Sequence, residues 1–411
     1  MGCRTGDGPA LSLGEGAGCA PRRVVGFELV RLELELSSPW ASGAGSFARR
    51  DSFLVRAVME ERRWDGTVVQ EGWGECAALP HPTFSSEYTA GELEVAERFL
   101  VPAALHWGGG SASELPRVLA GTKGHGFAKA ALEAAVLDAE LRLSGVGMAD
   151  HFLSCSTPPG QRRRSVPAGV ALGLATSVGA LLDEVGARVH DGYRRIKLKI
   201  RPGWDVAPLS AVRERWPHLL LFADANGAYS AMGPERAAEC LAPVAELALS
   251  CLEQPLGDDD LLGHAQLARL LPVPLCLDEA LSSTAVLEAA LALGACQVAN
   301  IKPGRLGGYG QAVAAHDICL RHGAGAWVGG MVETGVARAA NVALASLPGF
   351  TLPGDVSASG RFFDHDIVEP GFGLDAEGAI AVPAGAGSGV QIRSDVVADC
   401  STWRKWFPSE G

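Results

Sequence analysis

At 411 residues, with 47% apolar and 20% charged side chains, the chain has a globular composition and room for one large α/β domain with a smaller companion. A formal net charge of −12 and a pI near 5.4 exclude extended contact with nucleic acid or an anionic membrane, both of which require a basic face, and favour a small-molecule ligand. Ten cysteines stand singly, with no C-x-x-C pair and no zinc-ligand spacing, and read as reduced thiols of a cytoplasmic protein.

The first twenty-two residues are Gly-rich and lack the continuous apolar core of a secretory signal, so a disordered arm is expected over 1–22. From Val24 the chain reads as strands, VVGFELVRLELEL and then FLVRAVMEE, with the small-residue stretch SSPWASGAGSFARRD between them as a loop and candidate flap. A helix is predicted over 127–143, FAKAALEAAVLDAELRL, with an apolar stripe at i, i+3 and i+4. No apolar run is long enough to span a bilayer.

From about residue 166 the character changes. Eight apolar segments follow, most of them succeeded by a helical pattern: VPAGVALG, RRIKLKI, LLLFADAN, LALSCLEQPL, PVPLCLDEA, CQVANIKPG, GAWVGGMVE and FTLPGD. Charged strand ends fall at Lys199, Asp224, Glu253, Asp278 and Lys302, in steps of 25, 29, 25 and 24 residues. That near-constant step is one β-loop-α-loop unit repeated, and it predicts an α/β barrel rather than a doubly wound sheet, whose glycine fingerprint is missing.

Within RRIKLKI, Ile196, Leu198 and Ile200 alternate with Lys197 and Lys199. An isolated Lys-x-Lys is most often an edge strand turned to water. In a closed barrel, however, the apolar face meets the helices, so the lysines point inward and need partners. Asp224, Glu253 and Asp278, each ending the next strand, stand at the C-terminal mouth, and Lys302 enters from the opposite side. An acid after a strand often only caps a helix. Three at matched strand ends, bracketed by lysines and with no His or Cys among them, instead form a hard oxygen site suited to Mg²⁺. Three acids, a divalent cation and three lysines leave a net positive pocket for a small-molecule carboxylate, in which crowding and burial would depress a lysine's pKa. The predicted chemistry is abstraction of a proton α to that carboxylate.

These residues resemble the enolase superfamily, its muconate-lactonising subgroup, and within it the o-succinylbenzoate synthase/N-acylamino acid racemase family. The resemblance rests on GWGECAALPHPTFSSEY, FAKAALEAAVLDAEL, YRRIKLKIRPGWD, DANGAY, LEQPL, LCLDEA, NIKPGRLGGYG, GGMVETGVARAANVALASLP and FTLPGDVSAS, which span about residues 70 to 360. It implies a modified (β/α)7β TIM barrel over 161–364 beneath an α+β capping domain formed by 23–160 and completed by 365–411. It further implies Mg²⁺ on Asp224, Glu253 and Asp278, acid/base lysines at Lys199 and Lys302, and substrate contacts from Lys197, Asn226, Arg305, Gly330, Met331 and Glu333.

In the synthase reaction, a syn-dehydration giving o-succinylbenzoate in menaquinone synthesis, Lys199 would take the α-proton and protonate the leaving hydroxyl while Lys302 steadies the enolate. In the racemase reaction the two lysines would act on opposite faces of the α-carbon. Arg305 matches an arginine of racemase-capable members, and two readings are open to it: tuning Lys302, or lying solvated on the surface. The resemblance also implies a homo-oligomer, dimer or octamer.

The chain departs from the family in its walls. Trp40, Ala41, Ser42, Gly43, Ala44 and Gly45 replace a stretch carrying an arginine and Ser-Phe-Gly, Ala171 replaces a serine, and Phe84 replaces a tyrosine. That keeps the reaction class and opens the substrate: N-succinylamino acids, or another acylated amino acid. A dipeptide substrate is disfavoured, because the eighth strand does not end in an Asp-x-Asp pair: Asp355 is followed by Val356 and Ser357.

Overall fold

The computed structural model describes residues 22–42, 45–157 and 160–410, so the arm expected over 1–22 lies, but for its last residue, outside the described residues. Three long strands come first, β1 (Arg22–Ser42), β2 (Gly45–Arg63) and β3 (Gly66–Cys76), each antiparallel to the next. The loop expected between the first two strands is largely strand itself. The β1–β2 ladder continues through Trp40 opposite Phe47 to Ser42 opposite Gly45, beyond an irregularity between Glu35 and Trp40. Continued pairing satisfies backbone groups that a free loop would leave to water.

The helix α1 (Gly126–Ser144) lies on this sheet. Its close approach depends on Gly72 and Gly74, where an added methyl would overlap Ala135 O and Ala139 N, and Ala131 O. The apolar stripe expected on this helix extends to nearly its whole circumference, because the sheet covers one side and the segment Pro303–Leu306 packs on another.

Seven parallel strands follow: β4 (Gly169–Leu172), β5 (Arg195–Lys199), β6 (Leu220–Asp224), β7 (Cys251–Glu253), β8 (Leu275–Leu277), β9 (Val298–Ile301) and β10 (Gly325–Val328). They pair in chain order, and the sheet curls into a half-barrel. The helices between them are α2 (Val178–His190), α3 (Val206–Arg215), α4 (Gly233–Ala245), α5 (Leu261–Leu270), α6 (Thr284–Leu293) and α7 (Tyr309–His322), and α8 (Gly335–Ala345) follows β10. This is an α/β fold.

The eighth expected strand, FTLPGD, is not a regular strand, since Pro353 has no N–H to donate and Gly354 favours irregular backbone. It nevertheless takes a strand's place. Leu352 N and Asp355 N donate to the carbonyls of Ala326 and Val328 in β10, while Gly354 bridges Ala168 just before β4. At the end of the chain, β11 (Ser401–Pro408) returns to pair with β1, giving the sheet order β11-β1-β2-β3. Among the described residues no helix is long and apolar enough to cross a membrane.

Candidate active site

The two-residue period of the parallel strands sends alternate side chains inside the curled sheet. Lowest lies a small apolar cluster, separate from the main core, of Phe222, Cys251, Cys276, Val298 and Trp327, with Leu352 against it. Cys251 and Cys276 serve here as small hydrophobes, and all eight described cysteines are free. Arg195 lies over the rings of Phe222 and Trp327, 4.0 and 4.8 Å from their centroids, and pairs with Asp355.

Above this layer charges interlock. Lys197 Nζ stands 2.9 Å from Glu253 Oε2, 2.9 Å from Asp355 Oδ2 and 3.2 Å from Asp224 Oδ2. Burial works against its charge, but Asp355, Glu253 and Asp224 outweigh burial and hold the ammonium well above lysine's ordinary range. The depressed lysine pKa expected from crowding is therefore not found at Lys197, because Asp355 adds a fourth carboxylate to the cluster. Both oxygens of Glu253 accept hydrogen bonds, from Lys197 and from Asn300 Nδ2, while burial and the neighbouring Asp224 charge push its carboxyl up to about 8.

At the mouth, Lys199 Nζ donates to Asp224 Oδ2 at 2.7 Å and to Asn226 Oδ1 at 2.6 Å. Opposite, Lys302 Nζ donates to Asp278 Oδ2 at 2.8 Å and lies 4.1 Å from the centroid of the Phe84 ring. Burial raises the Asp278 pKa, but Lys302 and Arg305 overcome it and bring the carboxyl down to about 2. Glu279 is pushed up to about 7 by burial and by the charges of Asp278 and Asp224.

Lys197, Lys199, Asp224, Asn226, Asp278, Lys302, Gly330 and Met331 line one cavity of about 440 Å³, together with Glu279 and Asp355. Trp40, Leu79, Phe84 and Phe362 supply an apolar wall, with Trp40 and Phe362 in edge contact at 5.8 Å. Glu253 lies beneath the floor, wholly buried under Lys197.

Two expected substrate contacts stand behind the wall. Arg305 is neither solvated nor in the cavity: it is buried, pairs with Asp278, and donates to the carbonyls of Leu281 and Asn300. Glu333 turns away because the chain reverses at Val332, whose φ is +56°; its oxygens accept from Met331 N and Asn341 Nδ2. It shapes the cavity wall from behind.

Sequence reasoning passed over Arg195, Asp355 and Glu279. Arg195 shares the parity of Lys197 and Lys199 and Asp355 ends the eighth apolar segment, so the rule that found the other charges extends to these two; Glu279, one residue past Asp278, has the opposite parity and falls outside it. It also passed over the supports from the antiparallel sheet. Glu75 on β3 accepts from Thr334 N, Thr334 Oγ1 and Ala337 N at the start of α8, and Arg50 on β2 donates to Val332 O.

The oxygen-only donor set, three carboxylates at the ends of adjacent strands, fits a hard divalent cation in type. Asp224 and Glu253 are directly paired across β6 and β7. Among the described residues no three acids, His or Cys are gathered into a ready cation cluster, and lysine ammonium groups are the hydrogen-bonding partners of all three carboxylates.

Residues 180–396 match the family model described as "Enolase C-terminal domain-like". The chain is 46% identical to an N-succinylamino acid racemase from Amycolatopsis sp, over 94% of this chain and 100% of that one. The chain belongs to the enolase superfamily. It is also 37% identical to the o-succinylbenzoate synthase of Bacillus subtilis (strain 168), over 93% of this chain and 98% of that one, which places it in the synthase/racemase family within the superfamily. A solved enolase-superfamily structure from Listeria innocua Clip11262 superposes with a TM-score of 0.85 at 32% identity, covering 95% of this chain and all of that one. The portion matched by the enolase model contains every charged residue of the cavity, from Lys197 to Asp355.

Proposed function

We propose that this chain catalyses Mg²⁺-dependent abstraction of a proton α to a carboxylate, as an o-succinylbenzoate synthase that also racemises N-succinylamino acids. One observation carries the reading: Lys199 on β5 and Lys302 just past β9 enter one cavity from strands four apart in the sheet, with carboxylate-bearing strand ends between them. We read the half-barrel, with the segment around Gly354 bridging its open side, as the modified (β/α)7β barrel of the family. Residues 23–160 and the C-terminal 365–411 would be its capping domain, with β11 joining β1 as the link between them.

Enolase-superfamily enzymes generally use Mg²⁺, and Asp224, Glu253 and Asp278 would hold it. Bound there, the cation would supply positive charge against the second negative charge of the enolate. The chain's own residues do the rest. Lys197, kept protonated by its carboxylate partners, offers a fixed cation to the substrate carboxylate. In dehydration, Lys199 in its amine form takes the α-proton and returns it to the departing hydroxyl on the same face, so no net proton is consumed. In racemisation, one lysine takes the proton and the other delivers one to the opposite face. Free thiols at all eight described cysteines suit a reducing, cytoplasmic setting.

A second reading, racemisation of an amino acid carrying a different N-acyl group, draws on the wall of Trp40, Leu79, Phe84 and Phe362, which suits an apolar substituent. Purified protein assayed for dehydration, and for α-proton exchange of N-succinylamino acids in ²H₂O, tests both. Lys199→Ala should lower dehydration by about 10²–10⁴-fold with circular dichroism unchanged. Unchanged turnover would remove Lys199 from the role.

A further inference from the structure

Lys199 and Lys302 are held differently. Lys302 rests on Asp278 and the Phe84 ring, whereas Lys199 Nζ also donates to Asn226 Oδ1 at 2.6 Å. The same amide's Nδ2 donates to Glu279 Oε1 at 2.7 Å. Glu279 lines the cavity, and its other oxygen is buried without a hydrogen-bond partner. Because Glu279 Oε1 is the acceptor of this bond, it fixes the Asn226 NH₂ group toward Glu279 and thereby turns the amide oxygen toward Lys199. With the amide reversed, donors would face the Lys199 ammonium and a carbonyl oxygen would face the Glu279 carboxylate. The backbone at Asn226 is held separately: φ is +42°, and its N–H donates to Asp224 Oδ1 at 3.0 Å.

We infer that Glu279 is a positioning residue for one of the two acid/base lysines, acting through Asn226 to aim Lys199 and leaving Lys302 untouched. The inference rests on the two-lysine reading above. Its consequence is one-sided: exchange at one face of the α-carbon depends on Glu279, and exchange at the other does not.

The test measures α-proton exchange in ²H₂O separately for the two enantiomers of an N-succinylamino acid. The enantiomer served by Lys199 is identified as the one whose exchange Lys199→Ala abolishes. Glu279→Leu should slow exchange of that enantiomer by about 10–100-fold, through kcat rather than KM, and leave the other within about threefold. Glu279→Gln, which keeps an acceptor oxygen, should retain most of the rate. Asn226→Gly, tolerant of the positive φ, should reproduce the one-sided loss and serves as the test if Glu279→Leu does not fold. Combined with Glu279→Leu it should add nothing further. Equal loss for both enantiomers, no loss, or additive losses would overturn the inference while leaving the two-lysine reading in place. A wild-type enzyme that exchanges neither enantiomer would overturn the reading and the inference with it.

Discussion

Glu133 reaches from α1 to the first turn of α7, where one oxygen accepts from Gly310 N at 2.9 Å and the other has no partner. Burial is the dominant influence and pushes its carboxyl from 4.5 up to about 7, against the opposing pull of the Gly310 and Tyr309 N–H groups. Because the folded value lies above the unfolded one, the folded state binds the proton more tightly. Its contribution to stability is whole below about pH 4.5 and is lost as pH rises through 7.

A shift of this size, in which the opposing pull of the α7 N–H groups is already included, corresponds to about 3 kcal/mol once the carboxyl is ionised in both states. Glutamine keeps the acceptor oxygen and has no charge to desolvate. Glu133→Gln should therefore be more stable than wild type by about 2–3 kcal/mol at pH 8.5, and by about 1 kcal/mol or less at pH 5. Urea unfolding of both proteins at pH 5, 7 and 8.5 reads the difference. A gap that stays constant with pH, or a variant less stable at pH 8.5, would refute the reasoning.

Trp327 is fully buried beneath the charged layer and carries Arg195 on its face, so Trp327→Ala should cost about 3–5 kcal/mol in a denaturant melt; a change under about 1 kcal/mol would mean the inner apolar cluster is not a structural floor. Chelation with EDTA should silence dehydration and exchange together, and added Mg²⁺ should restore both; full activity after exhaustive chelation would remove the cation from the proposal. Phe84→Ala deletes part of the apolar wall and the ring beneath Lys302, so it should lower kcat/KM most for N-acyl substrates with apolar side chains, by about 1–3 kcal/mol in transition-state binding. An equal loss for polar and apolar side chains would show that the wall does not sort them.

Much of the catalytic half was legible because its signals are local. Alternation in RIKLK shows which residues share a face, and a charged residue closing an apolar run, as at Asp224, Glu253 and Asp278, marks a strand end, whatever the rest of the chain does. The same logic extends to Arg195 and Asp355, which a stricter reading of parity and strand ends would have reached. Arg305 and Glu333 were misplaced for the converse reason: their neighbours in sequence do line the cavity, but a helical turn after Lys302 and a reversal at Val332 send these two side chains behind it.

What the sequence by itself determined was the repeat, the inward charges and the chemistry those charges permit, since each follows from spacing along a few consecutive residues. Only the tertiary structure decided who pairs with whom. Lys197 meets a carboxylate 158 positions away, Glu75 caps a helix 259 positions on, and Asn226 is oriented by Glu279 across 53. Such contacts leave no local period to read, because partners far apart along the chain meet only when the sheet curls and buries them, and burial then requires each charge to find an opposite charge or a donor.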